Sequence, residues 1–326
     1  MWKLVKSLNW ALFAILVVLA IGRLIAVSRE TAPLEVIKPP EGRLVQAGRD
    51  SIFLLEEGPA DGPMLLFAHG TAAWSGLWEP TLRALGTKDW RAVGFDMPPF
   101  GFSGHAADGD YSRTAQADRI LRLVETFESK PIMVAHSIGA GPAVEAVMKD
   151  QSAFAGLVVV DGALGLNGHE QGKTLLLPLR FKIIREAVTA LSLTNPLATR
   201  FFLRGLIHVK EAASDEVVSV LQMPLARQGT TAAYAAWVPS LLVPPKDARS
   251  TRPEAYQNLT LPVVYIWGEQ DTVTPLEQGQ ELGAITPGSQ LLVIKGVGHI
   301  PQIEDPEAFL LALERALGLI SSSDLN

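Results

Sequence analysis

The sequence predicts a parallel α/β architecture carrying an inserted helical region, and three observations predict it. Short, continuous apolar runs recur at Ser51–Leu55, Met64–Ala68, Ala92–Phe95, Ile132–Ala135, Leu157–Val160, Val263–Trp267 and Leu291–Ile294. Uninterrupted runs of this length, rather than alternating ones, are what strands covered by helices on both faces require. Amphipathic stretches lie between several of them, and the rhythm breaks once, between about residues 164 and 251.

Taken in chain order, the first element is residues 1–27. No charge falls between Ser7 and Gly22, and Trp10–Ile21 is almost wholly apolar. Continued past Arg23 to Val27, the segment approaches the roughly 20 residues a spanning helix needs, with Lys3 and Lys6 ahead of it. It reads as an N-terminal transmembrane anchor or a signal segment, Ala26-Val27-Ser28 being compatible with cleavage. The balance of flanking positive charge places the main domain on the extracytoplasmic side. Residues 28–48, polar and bearing Pro33, Pro39 and Pro40, read as a linker.

The strands follow, in a core read as residues 49–163 and 252–321. Within it, Ala115–Glu128 sets Ile120, Leu121, Val124 and Phe127 at helical spacing opposite Asp118, Arg119, Arg122 and Glu125, an amphipathic helix. After Ser137, the run Gly139-Ala140-Gly141-Pro142 lets a helix pack close to a sheet. Residues 164–251 carry helical patches instead (Leu175–Ala190, Pro196–Ile207, Ser214–Leu221, Thr230–Leu241) and read as a helical cap inserted between two strands.

Composition narrows the functional classes. With 28 Lys and Arg against 34 Asp and Glu, the chain lacks the basic surface that nucleic acid demands. Without cysteine, thiolate metal sites and cysteine nucleophiles are excluded. No Gly-x-Gly-x-x-Gly opens a helix and no His/Asp ligand set clusters, so no metal and no cofactor are expected.

The chemistry-bearing pattern is Val134-Ala135-His136-Ser137-Ile138-Gly139. A serine at the tip of a strand-to-helix turn is a nucleophile elbow, whose strained backbone needs small neighbours two residues either side. Gly139 meets that need, and Ala135 stands where a first glycine is usual. A serine needs a base, and the base an orienting acid. Of six histidines, His299 follows the last strand directly, and Asp271 follows the strand Val263–Trp267, with Glu269 and Asp161 as competing acids. All of these lie at the strand ends where open α/β sheets keep their sites.

On these residues the sequence resembles the α/β-hydrolase superfamily over nearly everything after residue 48. The order Ser137, Asp271, His299 matches, as do Phe67-Ala68-His69-Gly70-Thr71, the loop Asp96–Ser103, Trp267-Gly268-Glu269-Gln270-Asp271, and Gly298–Pro306. The resemblance implies a catalytic Ser137, His299 and Asp271, with the backbone N–H groups of Thr71 and Ile138 as oxyanion hole. It implies bracing roles for His69 and Asp96, and packing around the elbow for His136. Trp74 and Trp78 are candidates for the substrate pocket. The substrate expected is a small molecule, a hydrophobic carboxylic ester. Carbon–carbon bond hydrolysis, acyl transfer, cofactor-free peroxidase-like activity and ligand binding without catalysis are the alternatives. His69-Gly70-Thr71-Ala72-Ala73 lacks the Gly-Gly-Gly-rich loop that carbon–carbon hydrolases often carry.

Overall fold

A computed structural model describes residues 2–106, 108–166, 175–243, 245 and 247–323. Part of the predicted cap, residues 167–174, lies outside the described residues. Eight strands form one sheet: β1 (Arg43–Ala47), β2 (Asp50–Glu57), β3 (Met64–Ala68), β4 (Arg91–Phe95), β5 (Ile132–His136), β6 (Gly156–Val160), β7 (Val263–Gly268) and β8 (Gln290–Ile294). Their order is β1-β2-β4-β3-β5-β6-β7-β8. β1, β2 and β4 pair antiparallel and every other pairing is parallel, giving a mostly parallel α/β-hydrolase fold.

The sequence explains which strands are central. Every residue of β3, β5, β6 and β7 is buried, as continuous apolar runs between two helical layers must be. One layer holds helices Arg113–Val124 and Ala140–Lys149; the other holds Glu79–Gly86 and Pro306–Ser323. Helix Arg113–Val124 begins where the Ser112 hydroxyl accepts the Ala115 N–H at 3.3 Å, an N-cap that satisfies an otherwise orphaned donor. β1 and β8 each keep two exposed residues and at least one half-buried one, as edges with a wet face do.

Two expectations are corrected. The predicted linker 28–48 contains strand β1, whose Leu44 and Val45 pair with Phe53 and Ile52 of β2. The run Arg43-Leu44-Val45-Gln46-Ala47 is short and mixed in polarity, which conceals it beside the prolines. The second correction concerns the N-terminal helix, Trp2–Arg29. Among the described residues no helix is long and apolar enough to cross a membrane, so the predicted single-pass anchor, the membrane contact and the extracytoplasmic placement fall. The helix's last turns belong to the folded body instead. Arg23 bonds Glu186 at 3.1 Å, Ala26 is fully buried, and Arg29 donates to the Leu225 carbonyl at 3.3 Å. Just beyond, Glu30 accepts the Thr231 N–H at 3.1 Å and Ala32 bridges Arg227.

Between β6 and β7 lie helices Lys182–Leu191, Pro196–Leu206, Asp215–Gln222 and Thr230–Leu242. They sit over the C-terminal ends of the parallel strands, where several of their leucines face Ser137 across a cavity.

Candidate active site

Ser137 follows β5 directly and has φ +54°, a left-handed conformation that costs a non-glycine residue about 1–3 kcal/mol. The turn is so tight that positions 139 and 70, packed against it, must lack side chains. A Cβ on Gly139 would fall well inside 3.0 Å of the His69 carbonyl oxygen. One on Gly70 would stand 2.8 Å from His136 Nδ1 and 3.1 Å from Ser137 Cβ. These two glycines therefore let the loop after β3 and the turn after β5 close on each other.

The structure brings the three sequence-predicted residues together. Ser137 Oγ lies 2.8 Å from His299 Nε2, and His299 Nδ1 lies 2.8 Å from Asp271 Oδ2. A carboxylate only accepts, so Nδ1 carries the imidazole proton and Nε2 is left to accept from the serine hydroxyl. Asp271 is fixed by the N–H groups of Val273 at 2.7 Å and Thr274 at 3.0 Å, and by the Thr274 hydroxyl at 2.6 Å. Burial pushes its carboxyl up, but His299 and these donors together hold it below the usual carboxylate range.

Sequence reasoning assigned no role to two supports, Thr274 and Glu304, although Glu304 is the glutamate within the matched stretch Gly298–Pro306. The Glu304 carboxylate accepts four N–H groups, those of Gly298, Ile300, His208 and Val209, at 2.7–3.0 Å. It thereby pins both sides of His299 and ties them to the inserted helices. Its signal was its spacing, five residues after His299 and two before Pro306. Of the competing acids, Glu269 binds the Gly296 N–H at 3.2 Å in an exposed position, and Asp161 is buried behind Asp271.

His69 accepts the Met97 N–H at Nε2, 3.0 Å, and donates from Nδ1 to the Gly70 carbonyl at 2.9 Å. It therefore joins the loops after β3 and β4 as a neutral ring. Asp96 accepts the N–H groups of Ser75 and Phe102, each at 2.7 Å. His136 donates from Nε2 to the His299 carbonyl at 2.8 Å. Burial lowers the pKa of His69 and His105 to about 4; burial and then the neighbouring His299 lower that of His136 to about 3.

A pH dependence of stability follows. From pH 6.5 down toward 4 the unfolded chain takes up protons at these three histidines that the folded chain refuses, so stability is lost as pH falls. Asp96, raised by burial to about 6, and Asp161, also raised by burial, oppose this, since the folded chain holds their protons as pH falls. The balance is about one proton, or ~1.4 kcal/mol per pH unit. Urea unfolding at pH 4.5 is expected to give about 2 kcal/mol less stability than at pH 6. Greater stability at pH 4.5 than at pH 6 would show these histidines to be protonated in the fold.

Above Ser137 opens a cavity of about 330 Å³. Thr71, Ser137 and His299 form its floor, and Leu193, Phe202, Leu206, Leu221 and Leu241 form walls contributed by the inserted helices. Among the described residues no lysine, arginine, aspartate or glutamate lines it. Trp74 and Trp78 are not part of it. Trp74 packs edge-on to Phe102 and donates to the Val220 carbonyl at 2.6 Å; Trp78 is sealed between Phe67 and Phe309. Their indoles are drawn into the core by area that a small cavity could not cover. Among the described residues no three His, Cys, Asp or Glu side chains are arranged to hold a metal ion.

Comparison with known proteins adds four findings. The model of the alpha/beta hydrolase family matches residues 65–312. The 2-hydroxymuconate semialdehyde hydrolase of Pseudomonas putida is 26% identical over 292 residues, covering 86% of this chain and 95% of that protein. Among solved structures, a serine hydrolase involved in carbazole degradation superposes with TM-score 0.68 at 20% identity, over 85% of this chain and 98% of that one. A membrane phospholipase A does so with TM-score 0.66 at 18% identity, over 98% and 99%.

Proposed function

The chain belongs to the alpha/beta hydrolase family, and within it we propose a serine hydrolase that cleaves the ester of a hydrophobic carboxylic acid. The observation that carries this reading is the Ser137 Oγ to His299 Nε2 approach of 2.8 Å at the floor of an apolar cavity. In this reading, Ser137 Oγ attacks the ester carbonyl while His299 Nε2 takes its proton. Asp271 holds the tautomer and stabilises the imidazolium. The oxyanion receives hydrogen bonds from the Ile138 and Thr71 N–H groups, each such donor being worth about 10²–10³ in rate. The C–O bond then breaks, and the alcohol leaves with the proton from His299. Water, deprotonated by His299, attacks the acyl-serine and releases the acid.

Residues 164–251 act as the cap over a core of residues 49–163 and 252–321, supplying the leucines that contact the acyl chain. A volume of about 330 Å³ sits at the small end of ligand pockets, roughly 300–1,000 Å³, and suits a short to medium acyl group. The Pseudomonas putida relative favours a second reading, carbon–carbon bond hydrolysis on the same three residues. A carboxylate-bearing substrate such as its name gives would need a cation, and among the described residues none lines this cavity. The ester reading therefore stands first.

A fluorophosphonate probe tests it. The wild-type chain is expected to label covalently, and His299→Ala to label at least about 100-fold more slowly. p-Nitrophenyl esters of increasing chain length should give kcat/KM rising from acetate to a medium chain and then falling. A folded wild-type protein that neither labels nor hydrolyses any ester of the series would overturn the proposal.

A further inference from the structure

Asp161 stands one residue past β6, with φ +44° and no exposed surface. Aspartate tolerates left-handed backbone better than most residues, yet such a position persists only where its surroundings over-determine it. Its Oδ1 accepts the Gly268 N–H at 2.8 Å. Its backbone carbonyl lies 3.1 Å from Thr274 Oγ, whose single proton goes to the nearer Asp271 Oδ2 at 2.6 Å. Oδ2, although buried, accepts from no donor.

The groups that face this carboxyl are acidic or neutral. Asp271 approaches from the loop after β7 and Glu304 from the helix Pro301–Glu304, with His299 on the far side of Asp271. No lysine or arginine pairs with Asp161 among the described residues. An ionised carboxylate sealed away without a cation is strongly disfavoured, and a second one beside Asp271 more so. Two carboxylates cannot hydrogen-bond each other. A single proton on Asp161 removes one charge and converts the same approach into an O–H donation, which satisfies the orphaned Oδ2.

We propose that Asp161 is a neutral carboxylic acid at pH 7 whose O–H donates to the Asp271 carboxylate, making it a positioning residue behind His299. Two carboxyl groups then share one negative charge. Burial first, and the charge of Asp271 second, drive Asp161 far above the usual carboxylate range, while Asp271 is held below it. Acid and carboxylate set apart by environment divide the work of one site in this way. The part played behind His299 rests on the serine-hydrolase reading; the protonation state does not.

Asparagine is the mimic of the protonated acid, since its carbonyl can accept from Gly268 and its amide can donate to Asp271. It also suits left-handed backbone. The first measurement needs no substrate: the chain is labelled with carbon-13 at aspartate side-chain carboxyls, and wild type is compared with Asp161→Asn at pH 7. The resonance lost in the variant is expected at the chemical shift of a protonated carboxyl. If it lies at a carboxylate shift, the proposal is overturned, whether or not the chain hydrolyses esters.

The second measurement is the pH profile of kcat/KM on an ester. In Asp161→Asn its acid limb is expected within about 0.3 pH unit of wild type, because neutral replaces neutral. A downward shift of about one unit or more would reveal a lost negative charge and overturn the proposal. Asp161→Ala, which cannot donate, is expected to lower kcat about 10-fold at unchanged KM. If Ala and Asn behave alike, the donation to Asp271 is refuted.

Discussion

Ser137→Ala is expected to lower kcat for ester hydrolysis by on the order of 10⁶-fold, with KM little changed. The loss is that large because the hydroxyl is the reacting atom, and the remaining groups have nothing to activate. The same logic makes the effects of Ser137 and His299 non-additive. Once Oγ is gone, the base 2.8 Å away has no proton to take, so Ser137→Ala/His299→Ala should be no slower than either single variant. Stability should barely move, since alanine meets the same strain at φ +54° and one hydroxyl contributes about 1 kcal/mol at most. Steady-state kinetics on a p-nitrophenyl ester, with thermal melts alongside, check both halves. A Ser137→Ala protein retaining more than about 1% of wild-type kcat would remove the serine from the mechanism.

Gly139→Ala is the second large expected effect, and it arises from shape alone. The new Cβ would meet the His69 carbonyl oxygen well inside 3.0 Å, and that oxygen is backbone, with no flexible side chain to turn away. Either the turn after β5 or the loop after β3 must therefore shift, at a cost of about 1–3 kcal/mol in stability. Ile138 lies between Ser137 and Gly139, so the shift also re-aims its N–H, one of the two proposed oxyanion donors. The expected loss is about 10²–10³ in kcat, with a smaller change in KM. Stopped-flow or steady-state kinetics on protein verified as folded by circular dichroism decides it. A kcat within about threefold of wild type would mean that the Ile138 N–H is not used.

Much of the fold was legible because parallel strands advertise themselves. Leu157-Val158-Val159-Val160 and Val263-Val264-Tyr265-Ile266-Trp267 read as buried on both faces, and they are. β1 was not legible, since an edge strand of five residues with one wet face leaves too few apolar positions to register. Ser137, Asp271 and His299 could be nominated from sequence because each follows a strand, and strand ends converge in a parallel sheet. Glu304 works by accepting backbone N–H groups and Thr274 by a short hydroxyl contact to Asp271, and nothing in a side chain's identity announces which partner it will find. The two tryptophans failed as pocket residues for a related reason: sequence proximity to Thr71 says nothing of which way the following turn faces. The N-terminal helix was read from hydropathy alone. Its tertiary partners, Glu186, Leu225 and Thr231, lie some 160–200 residues away in sequence.

Those partners make the segment at residues 23–32 a clasp across the lid. Glu30 and Ala32 are joined to residues 226–231 by backbone and side-chain hydrogen bonds, and the helix they join runs on to Leu242, beside the cavity wall. Swinging that wall outward to admit a bulky ester would either drag the clasp along or unfasten it, leaving the Glu30 carboxylate and the Thr231 amide to find water. Outward movement of that wall and release of the amino-terminal segment would thereby have to occur together.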